Sequence, residues 1–433
     1  MKKLLTLSAA ILASSLTNAA DLSTIYQQAA SNDAEIAAAR ATREANGYNV
    51  GAARGGLLPQ ASLTYSQMEI DGESAGTDFD YDQTQLQIQA SQALFNLNSW
   101  YTYKAAVAGD DAAAMQLQLA EQQLLTRTAE AYFNVLRAQD NLSAAQAEEK
   151  AVKRSLEQTK QRFDVGLIAI TEVHEAQAGY DLSYVNLLGQ EANLDISYEA
   201  LEQLTGKRFD SVSPLRADVA MEMPAPLSAD EWVASGLEKY AGLRLAEANK
   251  DAVRLQRNAT RSNHLPTVNL VGTYTDGDQF VSTINDTVDS DSTAVGFQVS
   301  LPLLAGGANY SLTKQAAKNY AASEYQLEGE RRSVKQNIRS LFRKVRTDVL
   351  NVKARKQSIV SAESALEATQ TGYKVGTRNI VEVLNAQRTL YQAQRDYANA
   401  RYDYIQDLLN LKFFAGTLNE KDIEVLNGWL TQG

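Results

Sequence analysis

The segment LEQTKQRFDVGLIAITEVHEAQ, residues Leu156–Gln177, recurs later in the chain as LEATQTGYKVGTRNIVEVLNAQ, residues Leu366–Gln387. The two segments align without a gap at an offset of 210, and ten of their 22 positions are identical. Upstream, the segments around Pro59 and Pro266 match at an offset of 207. Similarity at a fixed offset indicates an internal duplication, in which each half builds the same structural unit.

The duplication and the leader together set the predicted domain boundaries. Two lysines, a short apolar run from Leu4 to Ala13 and small residues before Asp21 are typical of a secretory signal peptide. The apolar run is too short to cross a bilayer. The predicted parts are a signal peptide at 1–20, a first repeat at 21–206, a linker at 207–226, a second repeat at 227–416 and a C-terminal tail at 417–433.

Each repeat is predicted to contain a first helix, two strands and a long helical hairpin. The strands show alternation with period two, and the helical runs contain no proline, which costs about 3 kcal/mol inside a helix. The predicted helices cover about 22–55, 99–163, 228–262 and 308–373, with return helices that end at Gly206 and Gly416, and the strand-like runs are 61–65, 85–90, 268–272 and 295–299.

The segments that join the strands of each pair are rich in acidic residues. They are therefore predicted to be loops in water, outside any apolar environment. Their acidic residues are Asp71, Glu73, Asp78, Asp80 and Asp82 in the first repeat, and Asp276, Asp278, Asp286, Asp289 and Asp291 in the second.

The long helical run of the first repeat has two apolar stripes. At 1.5 Å per residue, about 65 residues give roughly 100 Å of helix. Residues spaced by seven predict a supercoiled seam, and a second stripe beside it predicts another contact face. A helix in a closed ring needs two such faces. The first stripe is Leu117, Leu124, Ala131, Ala138, Ala145 and Val152, and the second is Leu125, Ala129, Tyr132 and Leu136.

Composition excludes several classes of function. The 433 residues include no cysteine and only His174 and His264, so thiolate sites and a histidine metal cage are not expected. The net charge of -11 argues against a nucleic-acid partner, which would need a basic surface. No glycine-rich phosphate loop occurs. The chain is therefore not predicted to be an enzyme, and no cofactor or bound metal is expected.

Four strands per chain cannot close a membrane barrel. An open sheet leaves two edges whose hydrogen bonds lipid cannot satisfy, and known outer-membrane barrels begin at eight strands. Two or more chains must therefore contribute to one barrel. Periodicity alone does not choose between two, three or four chains.

The duplicated plan resembles the TolC family of outer-membrane efflux proteins. The features that carry the resemblance are the paired Val-Gly turns, the Leu-Pro strand entries, Leu301-Pro302-Leu303 followed by Gly306-Gly307, and Gly416-Thr417-Leu418-Asn419. The resemblance implies a mainly helical chain with membrane strands. Three chains would form a homotrimer with a twelve-stranded β-barrel, four strands from each, continued by a long α-helical periplasmic barrel.

The resemblance also implies a location and partners. The chain would lie in the outer membrane of a Gram-negative cell and extend into the periplasm, in contact with outer-membrane lipid. It would serve as a passive exit duct for multidrug efflux pumps and type I protein secretion. A periplasmic adaptor protein and an inner-membrane efflux transporter or ABC exporter would be its partners.

Residue by residue, the resemblance assigns three groups near the hairpin turns. A periplasmic gate maps to Tyr373 and Arg378, with Thr171 and Glu172 as the acceptor side, so that Arg378 donates to these two and Tyr373 bonds a neighbouring helix. The adaptor-docking tips map to Val165, Gly166, Leu167, Val375, Gly376 and Thr377.

The third group is a constriction, where the family pattern of two inward acidic rings maps to Glu382 and Asn385. This chain departs from that pattern, because the second residue is uncharged. Glu382 and Asn385 are three apart, on one helical face, and Glu175 is predicted to supply the charge that Asn385 lacks. An acidic constriction favours cations. The alternative is a pair of solvated residues near a helix start.

Two other functions remain open from the sequence. A structural coiled-coil protein of the envelope would explain the long helices, but it leaves the duplicated strands without a purpose. A family member dedicated to metal-ion efflux is the other alternative.

Overall fold

The computed structural model describes residues 19–74, 77–281 and 286–431. The predicted signal peptide lies outside the described residues except for Ala19 and Ala20. The helices are α1 Leu22–Asn32, α2 Ala34–Gly55, α3 Leu97–Asp164, α4 Ile170–Thr205, α5 Ala229–Lys239, α6 Ala241–Arg261, α7 Ala308–Lys374, α8 Ile380–Phe414 and α9 Glu420–Asn427. The strands are β1 Gln60–Ser74, β2 Thr77–Phe95, β3 Thr267–Val281 and β4 Asp286–Ser300.

The predicted long helices and all four strands are confirmed, but the first helix of each repeat is broken. Asp33 has extended backbone angles, φ -64° and ψ 123°, and separates α1 from α2. Its carboxylate lies 3.2 Å from the guanidinium of Arg127 on α3. Tyr240 has similar angles, φ -61° and ψ 121°, and separates α5 from α6. A single continuous helix was therefore wrong in both halves.

The four strands form one antiparallel sheet in the order β1-β2-β3-β4. β1 and β2 pair without interruption from Gln60↔Ser91 to Ser74↔Thr77, and β3 and β4 pair from Thr267↔Ser300 to Val281↔Asp286. The pairing of β2 with β3 joins the two halves of the chain.

The prediction that the acidic segments are loops was wrong. All ten of the predicted loop acids lie within strands, because both hairpins continue to very short connections. Asp78, Asp80 and Asp82 alternate with Phe79 and Tyr81, whose ring centroids are 5.9 Å apart. An alternation with period two is a signal for a strand. In this segment the many charged residues obscured that signal in the sequence.

One face of the sheet carries exposed apolar side chains at every second position. In β1 these are Leu63 and Tyr65, and in β4 they are Val295, Phe297 and Val299. The intervening positions, such as Ser62 and Gln298, are polar or small. Alternation of this kind is typical of a strand with one face toward lipid and the other toward water.

The two predicted stripes of α3 are largely confirmed as buried. The first stripe has Leu117, Leu124, Ala138, Ala145 and Val152 buried, with Ala131 half-buried. All of the second stripe, Leu125, Ala129, Tyr132 and Leu136, is buried. One helix therefore makes contacts on two faces, as a coil with two neighbours requires.

The described chain forms two compact units. One contains residues up to Ala34 together with Glu121–Gly236 and the segment from Asn337 onward, and the other contains Glu35–Ala120 and Leu237–Gln336. Each unit collects segments from both predicted repeats, because the long helices α3 and α7 contribute residues to both. Among the described residues, no helix combines the length and the apolar character needed to cross a bilayer.

Three aspartates lie together where α7 meets α8. Burial, followed by the charge of Asp407 and that of Asp403, raises the pKa of Asp348 to about 7, while Lys344 acts in the opposite direction. Arg137 lies 2.8 Å from Asp403, and Lys344 lies 3.6 Å from Asp407. Asp348 is therefore the member of the group that takes up a proton near neutral pH.

We expect Asp348→Asn to raise the thermal unfolding temperature at pH 8 and to change it little at pH 4. A pKa above the ordinary value of 3.8 makes a stabilising contribution at low pH that is lost as the pH rises through about 7. Solvent screening limits the gain to about 1 kcal/mol per protomer. Thermal unfolding in detergent at both pH values checks this, with the exposed Asp218→Asn as control. An equal shift at both pH values would contradict it.

Candidate functional site

The hairpin between α3 and α4 turns on a glycine in the left-handed region. Gly166 has φ +77°. The Leu167 N–H donates to the Arg162 carbonyl at 2.9 Å, and the Gly166 N–H donates to that of Phe163 at 2.8 Å. This pair of bonds is a Schellman motif, which satisfies the last carbonyls of α3. The predicted left-handed cap is confirmed.

The hairpin between α7 and α8 repeats the same motif. Gly376 has φ +80°, the Thr377 N–H donates to the Gly372 carbonyl at 2.8 Å, and the Gly376 N–H donates to that of Tyr373 at 3.2 Å. The side chains around both turns are open to solvent: Val165, Leu167 and Val375 are 69%, 68% and 70% exposed. Apolar side chains this exposed at two matching turns leave a surface for a partner to cover.

Arg378 and Glu382 form an ion pair at the start of α8. The two residues are four apart, and the guanidinium of Arg378 donates to the carboxylate of Glu382. The same carboxylate accepts from the Asn379 N–H, while the Asn379 side chain accepts from the Glu382 N–H at 2.9 Å. This is a capping box. The hydrogen bond from Arg378 holds the pKa of Glu382 below its usual range.

The predicted donation from Arg378 to Thr171 and Glu172 is not made inside one protomer in the described part of the chain. Arg378 bonds Glu382 instead, because Arg378 lies in the turn just before α8 and Glu382 lies in the first turn of that helix. Thr171 is exposed, and the Glu172 N–H bonds the Ala169 carbonyl at 3.1 Å. One carboxylate oxygen of Glu172 is buried without a hydrogen-bond partner among the described residues.

Tyr373 lies beneath the guanidinium of Arg162, whose carbon is 4.7 Å from the centroid of the tyrosine ring. Arg162 also donates to the Tyr373 carbonyl at 3.4 Å. The ring packs against an apolar cluster from α3, α4 and α8, composed of Val152, Leu156, Ala176, Ile380, Val383 and Leu384. The phenol oxygen is buried and has no hydrogen-bond partner in the described chain. The ring of Tyr373 therefore joins the first hairpin to the second, while its hydroxyl makes no hydrogen bond within the described chain.

The predicted constriction residues do not meet within one protomer in the described chain. Asn385 is exposed on α8, and its carbonyl accepts from the Thr389 hydroxyl at 2.8 Å. Glu382 is half-buried in the capping box, and Glu175 is exposed on α4. No described contact links Glu175 to Asn385 or to Glu382. Any ring formed by these residues must therefore be built between copies of the chain.

Two features of this region were missed from the sequence. The first is the stacking of Arg162 on Tyr373. The second is a buried polar pair, in which the Gln387 side-chain amide donates to the Ser155 hydroxyl at 3.1 Å. Gln387 is one of the ten identities of the repeat, which is the signal that would have singled it out. Both features border a cavity of about 710 Å³ that Arg154 and Lys374 also line.

The family described as "Outer membrane efflux protein" matches residues 25–207 and 233–417. Among curated proteins, the outer membrane protein TolC of Vibrio cholerae is 37% identical over 99% of this chain and 99% of its own length. TolC of Escherichia coli is 36% identical over 97% of this chain and 87% of its own length. The proteases secretion protein PrtF of Dickeya chrysanthemi is 28% identical over 93% of this chain and 90% of its own length.

Solved structures show the same fold at lower identity. The crystal structure of CusC superposes with a TM-score of 0.80 at 16% identity, over 92% of each chain. That of VceC from Vibrio cholerae gives 0.79 at 19% identity, over 91% of this chain and 96% of its own.

Proposed function

This chain belongs to the outer membrane efflux protein family, and from that premise we propose that it is a homotrimeric exit duct for both multidrug efflux pumps and type I protein secretion. It is an outer-membrane efflux protein that lies in the outer membrane and extends into the periplasm. Its fold and family are those of channel proteins. We assign it no catalytic role and no cofactor.

The sheet is the observation that carries the proposal of an oligomer, and the likeness to the TolC family supplies the number three. Its edge strands β1 and β4 have no partner strand within the described part of one chain, although Leu63 and Phe297 expose apolar side chains on them. Lipid offers no hydrogen-bond partner to the backbone N–H and C=O groups along these two edges. Pairing β1 of one copy with β4 of the next satisfies both edges, and three copies give twelve strands.

The partners follow from the two hairpin ends and from the relatives. The matched turns that carry Val165-Gly166-Leu167 and Val375-Gly376-Thr377 are the surface on which a periplasmic adaptor docks. The adaptor in turn connects an inner-membrane efflux transporter or an ABC exporter. The likeness to a proteases secretion protein supports the secretion role.

The unpaired buried atoms support a gate between protomers. Buried polar atoms in proteins nearly always have a hydrogen-bond partner. The Tyr373 hydroxyl and one Glu172 oxygen have none in the described chain, and they are a donor and an acceptor from the two predicted sides of the gate. Because both atoms are buried in the isolated protomer, we propose that the two side chains turn outward where two copies meet and bond each other across that boundary. Arg378 and Thr171 complete that contact from either side.

Threefold repetition brings three copies of Glu382 to one level, with Asn385 one helical turn further along α8. Glu175 on α4 supplies further negative charge. Three carboxylates at a constriction favour cations over anions.

The two segments 21–206 and 227–416, separated by 207–226, are the products of the duplication that built this architecture.

Two measurements test the proposed function together. Detergent-solubilised protein should have the mass of three chains, with a gel mobility that changes on heating as a β-barrel oligomer requires. In planar bilayers the same preparation should form discrete channels. A monomer, or a trimer without conductance, would overturn the duct and favour a structural coiled-coil protein of the envelope.

A further inference from the structure

The sheet segments separate the two signs of charge along the strands. Between Arg54 and Lys104, and again between Arg261 and Lys314, no lysine or arginine occurs. These two stretches contain eleven acidic residues, all of them within 69–82 and 276–291, at the end of the sheet where the hairpins turn. The sheet is therefore negative at one end only.

The opposite end, where the strands join the helices, has the reverse character. The four segments 45–68, 83–109, 252–275 and 292–323 contain no aspartate and no glutamate, although the whole chain carries a net charge of -11. The cations nearest the sheet in these segments are Arg54, Lys104, Arg261 and Lys314, which we call the basic collar. All four side chains are exposed. No ion pair involves any of them in the described part of the chain.

Two members of the collar lie over aromatic rings. The Lys104 Nζ is 5.0 Å from the ring centroid of Trp100, and the Lys314 Nζ is 5.4 Å from that of Tyr310. Both pairs are four residues apart, and they are related by the repeat offset of 210. Trp100 and Tyr310 are 45% and 64% exposed. Exposed tryptophan and tyrosine concentrate at membrane interfaces.

The direction of these lysines is set by the helices. Side chains on an α-helix tilt toward its N-terminus. Only Asn96 separates β2 from the N-terminus of α3, and residues 301–307 separate β4 from that of α7. Lys104 is seven residues into α3, about 10 Å along the axis. Its ammonium bends back over Trp100, toward the sheet. This is the direction in which lysines snorkel when they approach a lipid headgroup layer.

Exposed leucine side chains lie beside the cations of the basic collar. Leu303 and Leu304, which join β4 to α7, are 88% and 90% exposed, and Leu58 and Leu265 are exposed beside Arg54 and Arg261. A ligand that covers both the cations of the collar and these leucines needs an anionic head and apolar chains. A soluble acidic peptide would leave these leucines in water.

We propose that the basic collar binds the phosphate groups of phospholipids in the periplasmic leaflet of the outer membrane. The ammonium and guanidinium groups make charge-assisted hydrogen bonds to the phosphate oxygens. The aromatic rings and the exposed leucines contact the glycerol and the upper acyl chains. This inference rests on the outer-membrane location and adds a specific lipid site at the helix end of the sheet.

Lipid retention measured by native mass spectrometry tests the collar. Wild-type trimers are titrated with phosphatidylglycerol, with a neutral glucosyl diacylglycerol and with inorganic phosphate. The collar variant is Arg54→Gln, Lys104→Gln, Arg261→Gln and Lys314→Gln. The matched control removes four exposed cations of α7 by Lys335→Gln, Arg343→Gln, Arg346→Gln and Lys353→Gln. Each cation near an anionic surface contributes roughly fivefold in affinity.

We expect the collar variant to bind phosphatidylglycerol at least tenfold more weakly than wild type, with the control variant unchanged and the neutral lipid weak throughout. Retained single-channel conductance in the collar variant shows that the duct itself is intact. Equal lipid affinity in wild type and collar variant overturns the proposal. So does inorganic phosphate that competes as strongly as the lipid, or a collar variant whose only change is in ion selectivity, which would place the cations in the lumen.

Discussion

Replacing Tyr373 with Phe and Arg378 with Glu in one chain is expected to raise the single-channel conductance of the reconstituted protein several-fold. Tyr373→Phe removes the buried hydroxyl that has no partner within the described protomer. Arg378→Glu removes the cation and sets a second carboxylate four residues from Glu382, where like charges repel. Both changes weaken the contact that we place between neighbouring copies, and they act three times in each trimer.

The matched control for the gate variant is Tyr325→Phe with Lys353→Glu. Both residues are exposed on α7. Like the gate variant, the control removes one tyrosine hydroxyl and replaces one positive charge by a negative one, but it does so away from the hairpin ends. Planar-bilayer recordings of the three proteins under one salt condition measure the effect. A double variant with wild-type conductance would remove Tyr373 and Arg378 from the gate. A rise in the control as large as in the double variant would show that the effect is one of charge alone.

Replacing Gly376 with Trp is expected to abolish efflux while leaving trimers intact. Gly376 has φ +80°, and no atom lies within 4 Å of the position that a Cβ would take. A side chain therefore fits in the isolated protomer and projects into the surface that we propose for adaptor docking. Any residue other than glycine costs about 1–2 kcal/mol in this backbone conformation, which one local turn in a large trimer tolerates.

Gly376→Ala is the control for this experiment, because it introduces most of the backbone strain with little bulk. Efflux is measured as drug susceptibility in cells whose only duct is the variant, and trimers by gel mobility without heating. Loss of efflux in the Trp variant alone assigns the defect to docking. Surviving efflux in the Trp variant would argue against docking at this turn, and equal loss in both would assign the defect to the turn itself.

Much of the fold is predictable because its signals are local and duplicated. Alternation identified four strands, and the scarcity of proline identified α3 and α7, with a seven-residue stripe as a further signal in α3. The breaks at Asp33 and Tyr240 were not predictable in this way. Neither residue is a strong helix breaker, and their extended conformations are stabilised by contacts such as Arg127 with Asp33, far apart in sequence.

Around the site, the glycine-capped turns were predictable from the sequence, and the side-chain bonds were less so. The repeat located both Schellman turns, because a glycine after a long amphipathic run is a strong cap signal. It did not indicate that Arg378 pairs with Glu382 in one protomer, since a spacing of four allows that bond without requiring it. The partner that we propose for the Tyr373 hydroxyl lies on a second copy, and single-chain periodicity contains no information about it.

The strand order described above also constrains when this protein can assemble. Phe95 pairs with Val268 across a sequence separation of 173 residues, so the centre of the sheet forms only after the second half has been synthesised and exported. Until then the first hairpin is a two-stranded ribbon, which is marginal in water. Closing so long a loop costs conformational entropy before the contacts between β2 and β3 can form. Each newly exported chain therefore spends time in the periplasm with open strand edges and exposed apolar side chains, and escort by a holding chaperone is the expected remedy.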